Sequence, residues 1–400
     1  MIGLNSSVTS SVVDSKYSAS FDGNGDYIDT NNTFSSTFTD SFSISVWIKV
    51  DDGQPSATKY ICGSSNSSSE DEVFIKITTA GLLSFTTKSE DDTGTQVTDD
   101  AVFVDNANDW KHIVCTATKG GSGDTAFDIY VNGSEVDSTN SSILTVANHA
   151  NFSTDIQFAI GALNNNGTRQ GYFDGAIDEF AIFNTALDSD AVSAIYNGGS
   201  PLNLTFDQGN YDNSSALQAY YRMGDGLFDD KANGVVHDQD NPGFEANIWD
   251  GTQGDDANWE LFGTNTKSEE AGAVKITGDG SNASGVFIRL KDAKDLSEDL
   301  VTGKLYSLQF DSKVNSGSSI SWRVYKNSGD YYYTTPQNLT STSFTPLKII
   351  FVAQSTTLDY FYSEGLGSGE IVYIKNISLR KLKGNPGLTS GDTSFSSDTP

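Results

Sequence analysis

The chain has 400 residues, enough for two to three domains with sizeable cores, and no apolar run of the length a membrane-spanning helix needs. Its 24 basic and 53 acidic side chains give a formal charge of −29. Such a surface argues against nucleic acid and anionic lipid as partners, since both need clustered Lys and Arg, and suits a saline medium or divalent cations.

Aromatics at 11% and abundant Gly, Ser, Thr, Asn and Asp predict an all-β chain of short strands joined by turns. Residues 1–16 are polar, lack the basic and apolar regions of a secretory signal, and read as an arm or linker. Export by another route, or release as part of a particle, is therefore expected. From Tyr17 the β signals begin, and residues 20–28 read as strand, turn and strand. Residues 42–48 alternate with period two, which puts Phe42, Ile44, Val46 and Ile48 on one face. Further strands are expected at 73–77, 82–85, 110–114, 127–131 and 158–160, with Asn132-Gly133 as a hairpin turn. Cys62 and Cys115 are the only cysteines, and buried thiols are expected ahead of a disulfide, which the spacing does not require.

Residues 172–183 carry apolar side chains on both faces, with Asp178 and Glu179 side by side among them. The strand is expected to be covered on both sides, as between two sheets. One helix follows, capped by Asp188, striped by Val192, Ile195 and Tyr196, and stopped at Gly198-Gly199. It is expected to plug one end of the sandwich.

The fragments Phe21-Asp22-Gly23, Ser45-Val46-Trp47-Ile48, Trp110-Lys111-His112-Ile113, Tyr130-Val131-Asn132-Gly133 and Phe173-Asp174-Gly175-Ala176-Ile177-Asp178-Glu179 occur in that order. In order and spacing they resemble the laminin-G-like (concanavalin-like lectin) jelly roll, which assigns 17–240 to one such domain. Residues 216–226 look like the strand that usually begins such a domain and are expected to add a permuted strand to the same sandwich. Residues 241–383 form a second all-β unit. Lys304-Leu305-Tyr306-Ser307-Leu308-Gln309-Phe310-Asp311-Ser312-Lys313 and residues 373–379 resemble a carbohydrate-binding-module jelly roll. Members of that group often carry a calcium-associated Asp where Lys375 stands, so that ion is not expected in the second domain. The fold class is thus all-β, two sandwiches in tandem with one short helix, and 384–400 reads as a linker or assembly arm.

Candidate sites are few. Asp22-Gly23-Asn24-Gly25-Asp26 has oxygen donors at alternate positions, but Tyr27 replaces the glycine an EF-hand needs. In laminin-G-like folds this turn and the last strand can lie near each other, so Asp22, Asp26, Asp174 and Asp178 are candidate ligands for a structural Ca²⁺. Turn capping by the same carboxylates is the competing reading. A retaining glycosidase needs two carboxyls ~5–5.5 Å apart across a cleft. Neighbours on a strand point to opposite faces, so Asp178 and Glu179 are not expected to act together. No Glu-x-Asp-x-x-Glu signature, zinc-ligand spacing around His112, His149 and His237, or Gly-x-Ser-x-Gly is present, and no enzyme is expected. Tyr325, Tyr331, Tyr333, Tyr360 and Tyr362 are concentrated in the second domain, and rings facing outward could stack on sugars or pack against a neighbouring subunit.

A laminin-G-like unit followed by a carbohydrate-module-like unit is a common build among phage tail, fibre and head-decoration proteins. The resemblance implies a non-enzymatic virion protein that binds glycans, assembles as a homo-oligomer through its terminal arms and attaches to a host. A secreted bacterial adhesin or polysaccharide-binding module, and a purely architectural virion protein, are the alternatives.

Overall fold

The computed structural model describes residues 15–66, 71–89, 92–105, 108–120, 125–142, 156–227, 229–241, 243–261, 263–280, 284–315, 318–325, 337–356 and 359–400. The chain divides into two compact units, Met1–Pro242 together with Gly384–Pro400, and Gly243–Lys383. Each is built of sheets whose strands pair antiparallel, save Leu163–Asn165, which runs parallel to Lys59–Asn66, and the described residues contain a single α-helix.

In the first unit, one sheet runs Ser134–Glu135, Thr125–Val131, Lys111–Lys119, Phe42–Val50, Asp174–Phe183, Ser18–Asp22 and Ser394–Ser396, each paired with the next. Period-two alternation sends Phe42, Ile44, Val46 and Ile48 inward, where they meet Val73, Ile75, Ile77 and Phe85 from the facing sheet in one buried cluster. Phe180 and Ile182 join that cluster, while Ala181 and Phe183 on the opposite side join a second one. The second cluster is covered by the helix and by residues 202–220, so the strand Asp174–Phe183 lies under a helix and loops instead of between two sheets. The helix, Ser189–Tyr196, begins where the Asp188 side chain accepts from Ala191 N at 2.8 Å and ends at Asn197 in the left-handed region. Ala191, Val192 and Ile195 point into the outer cluster, so the helix caps a sheet face and does not plug an end.

Leu217–Tyr221 pairs antiparallel with the far half of Asp174–Phe183, Phe180 opposite Tyr221, whereas Ser18–Asp22 pairs with its near half. Residues 216–226 therefore contribute a strand to the first sandwich. Cys62 and Cys115 are buried free thiols in facing sheets.

The tail is not an arm. Gly387–Ser390 lies between Tyr27–Asp29 and Val235–Val236, and Ser394–Ser396 pairs with Ser18–Asp22. The Asp398 carboxylate accepts from Lys49 Nζ at 2.5 Å and from Trp110 Nε1 at 3.2 Å. The second unit is thus an insertion between two strands of the first.

In that second unit a six-stranded sheet pairs Thr266–Glu270, Ala273–Thr277, Ile371–Leu382, Leu305–Val314 and Thr345–Val352 in order, with Phe244–Asn247 also on Ile371–Leu382. A five-stranded sheet runs Glu260–Leu261, Ser284–Arg289, Tyr360–Glu364, Ile320–Tyr325 and Gln337–Leu339. Trp322 and Phe361 stack at 4.8 Å between ring centroids, with Phe310 and Trp259 against them, and fill the space between the sheets.

Candidate functional site

Among the described residues, two of the places singled out in the sequence bring chemistry-bearing side chains together. The first is the outer face of the five-stranded sheet. Ile320, Trp322 and Val324 point into the core, which turns Ser321, Arg323 and Tyr325 outward. On the neighbouring strand Phe361 is in the core, so Tyr360, Tyr362 and Glu364 share the outer side. The register sets Tyr325 opposite Tyr360, Arg323 opposite Tyr362, and Arg289 opposite Tyr360 from the other flank. Ring centroids are 4.9 Å apart for Tyr325 and Tyr360, 5.7 Å for Tyr360 and Tyr362, and 6.0 Å for Tyr325 and Tyr362. Tyr325 and Tyr360 are half-buried and Tyr362 is buried beside them. Arg323 Nε lies 2.6 Å from Glu364 Oε1, and Tyr362 donates its hydroxyl to Glu364 Oε2 at 3.3 Å. Arg289 Cζ lies 5.9 Å from the Tyr360 centroid. Of the tyrosines singled out in the sequence, 325, 360 and 362 are brought together, and 331 and 333 lie outside the described residues. The two arginines and Glu364 carry no local sequence signal, because only the strand register puts them beside the rings.

The second place is acidic. Asp22, Asp26 and Asp392 each offer an oxygen within 4.8 Å of the others, a spacing that could hold a divalent cation. Asp26 is 1% exposed, and its carboxylate accepts from Asp22 N at 3.1 Å and Asp392 N at 2.8 Å. Burial, partly offset by those two N–H bonds, raises its pKa. These bonds fasten the tail to the first turn and make Asp26 a turn cap as well as a candidate ligand. Asp392 was missed from the sequence because its partner is 366 positions away. Asp174 is in register with Asp22, and its side chain lies beside Gly23 and Lys59.

Asp178 is not part of that group. It sits four residues further along the strand, opposite Trp47, with Oδ2 accepting from Ser15 Oγ at 2.6 Å. Nor does it oppose Glu179 in direction. A β-bulge interrupts the register between Asp178 and Ala181, and Glu179 takes φ +47. Ile177 and Phe180 both point into the core, so the bulge turns Asp178 and Glu179 to the same outer side. The alternation rule fails here because one residue is extra. Both carboxyls are buried, at 0% and 2% exposure, and neither is open to a substrate. Glu179 accepts from the Tyr220 hydroxyl and from Arg222 Nε at 3.2 Å. Burial lifts its pKa to about 7 against the pull of Arg222, and burial with the neighbouring Glu179 charge holds Asp178 well above the usual carboxylate range.

Residues 22–193, within the first sandwich, match the family model described as the concanavalin A-like lectin/glucanases superfamily. No curated protein matches the chain. Among solved structures, a putative carbohydrate binding protein from Bacteroides ovatus ATCC 8483 is 19% identical, with TM-score 0.40, over 56% of this chain and 56% of that one. The CBM40 of a Ruminococcus gnavus IT-sialidase bound to alpha2,3 sialyllactose is 14% identical, with TM-score 0.36, over 44% of this chain and 96% of that one. The CBM22-1 xylan-binding domain of Paenibacillus barcinonensis Xyn10C is 13% identical, with TM-score 0.28, over 36% of this chain and 97% of that one. Likenesses at this level carry no argument about ligand.

Proposed function

We propose that the protein is a non-enzymatic glycan-binding protein whose recognition face is the outer side of the five-stranded sheet. One observation carries this reading: three mutually touching tyrosines on the face turned away from the core, flanked by Arg289 and the Arg323–Glu364 pair. Tyr325 and Tyr360 offer ring area to the C–H face of a pyranose, and the guanidinium and carboxylate groups offer donors and acceptors to its hydroxyls. The concanavalin A-like class of the first domain is in keeping with it.

A glycan array probed with the full chain tests it. Binding to at least one glycan is expected, with Tyr325→Ala/Tyr360→Ala weakening it about 10- to 100-fold at an unchanged melting temperature, from roughly 1–3 kcal/mol of ring contact. An array with no binding, or a double variant that binds as wild type, would overturn it. The setting we propose is the surface of a phage particle, in a tail, fibre or head decoration, as a homo-oligomer that contacts host glycans. What supports this setting is the pairing of a lectin-like with a module-like sandwich in one chain. Mass spectrometry of purified virions separates it from a secreted adhesin.

A further inference from the structure

We propose that the outer face of the six-stranded sheet of the second domain binds an acidic polysaccharide, with Lys313 and Lys375 meeting its carboxylate or sulfate groups and Gln309 and Asn376 its hydroxyls. This face belongs to the other sheet from the tyrosine cluster, and the inference does not rest on that cluster.

Charge is the first ground. The second unit has 17 acidic and 14 basic side chains, net −3, against 36 and 10 in the remainder of the chain, net −26. Tyr306, Leu308, Phe310 and Val314 point to the core, so Gln309, Asp311 and Lys313 point outward. The register then lines up Ser378, Gln309 and Lys348 in one row, Lys375, Asp311 and Pro346 in the next, and Lys275, Tyr373 and Lys313 beyond it. In a strongly anionic chain, four lysines share one sheet face.

Two of these lysines, Lys313 and Lys375, are not neutralised in place. Lys275 pairs with Glu270 at 2.6 Å, but among the described residues neither Lys313 nor Lys375 meets a carboxylate at salt-bridge distance. They are held over rings instead. Lys375 Nζ lies 4.0 Å from the Phe344 centroid, and Lys313 Nζ lies 4.9 Å from Phe344 and 4.5 Å from Tyr373. Rings position the ammonium groups without cancelling their charge, which leaves them to attract an anion.

Shape is the second ground. The register shifts between Gln309 and Asp311, and Asn376 is the extra residue, at φ +53. A bulge of this kind re-aims a side chain, and a non-glycine residue held in the left-handed region is an outlier that clusters at ligand sites. Here it opens a depression of about 260 Å³, lined by Gln309, Asp311, Pro346, Lys348, Asn376 and Ser378. Asn376 Nδ2 donates to Asp311 Oδ2 at 2.6 Å, which fixes the amide.

The donor set distinguishes the ligand. Nucleic acid would want open ring faces to stack on, and here lysines lie over Phe344 and Tyr373. Gln309 and Asn376 flank the Asp311 carboxylate, and amides and carboxylate together can donate to and accept from vicinal hydroxyls. A hydroxyl-rich polyanion satisfies the lysines and the amides together.

The test passes the full chain over immobilised alginate, a polyuronate, over neutral dextran and over phosphocellulose at low ionic strength. Retention on alginate and not on dextran is expected, with elution by salt. Lys313→Ala/Lys375→Ala should bind alginate about three- to tenfold more weakly, as for two partly exposed charge contacts. Gln309→Ala/Asn376→Gly keeps the left-handed backbone and should weaken alginate binding while leaving phosphocellulose retention unchanged. Binding of neutral glycans on the array should be unchanged in Lys313→Ala/Lys375→Ala, which separates this face from the tyrosine cluster. Flow-through of the wild type, co-elution of the lysine variant with it, or full alginate retention by the amide variant overturns the proposal. So does a salt-sensitive dimer in light scattering, abolished by the lysine changes and without alginate binding, which would assign the face to a second copy.

Discussion

Asp178 and Glu179 contribute to how the stability of the first sandwich responds to pH. In the unfolded chain a glutamate titrates near 4.5, and in the fold Glu179 holds its proton up to about 7. Between those values the folded state binds more protons than the unfolded one, so stability falls as pH rises through the interval. Asp238, raised to about 6 by burial, slopes the same way, while buried His112, lowered to about 3, slopes the opposite way below the usual histidine range. The difference between wild type and Glu179→Gln isolates the glutamate. The melting-temperature gap should change in the variant's favour from pH 4.5 to about 7 and stay constant above. A gap that does not move with pH refutes the assignment. At this scale the sequence was least legible. The two carboxylates were visible as a pair, but period-two alternation put them on opposite faces, and a bulge is invisible in a run whose neighbours are all apolar. Asp22 and Asp26 were visible as a turn, and Asp392 could not be, because nothing local marks a pairing made across the chain.

Elements were far more legible. The strands at 42–48, 73–77 and 127–131 and the helix after Asp188 follow from alternation, the Asn132-Gly133 turn and the Asp188 cap, all of which act within a few residues. The tail misled because Gly, Ser, Thr, Pro and Asp compose linkers and short edge strands alike. Its two strands are paired on both sides or at the rim of the first sandwich, and Gly387 lies against Ile28 and Val236. Deleting 387–400 should therefore lower the melting transition of the first domain, by on the order of 3 kcal/mol or more, while leaving that of the second in place. Calorimetry that shows both transitions unmoved would demote the tail to an ornament. The lysines of the second domain's basic face lie on four strands, Ala273–Thr277, Leu305–Val314, Thr345–Val352 and Ile371–Leu382. Their shared face was not legible, since Lys275, Lys313, Lys348 and Lys375 come from four separate stretches.

At the scale of the whole molecule, the two units are nested. Asn241 O lies beside Gly384 in the first unit, and Lys383 N donates to Gly243 O at 3.1 Å in the second. Each unit therefore closes on itself where the chain passes between them, and excising 243–383 with a short Gly-Ser joint should leave a first domain that melts cooperatively near its parent temperature. Far-UV circular dichroism of the excised protein checks this, and an unfolded product would mean that the first sandwich depends on its insert. The division of labour follows the same boundary: nearly all of the net negative charge belongs to the first unit, and both proposed recognition faces belong to the second.

Nesting also imposes an order on synthesis. Gly387–Ser390 and Ser394–Ser396 leave the ribosome only after the entire second domain has emerged. Until then Tyr27–Asp29 and Ser18–Asp22 present unpaired edges, the kind of surface that pairs with the wrong chain. The second domain has all its strands in hand and can fold at once, whereas the first, although begun earlier, is finished later. A chain stopped short of Gly387 carries a finished second domain on an unsealed first one.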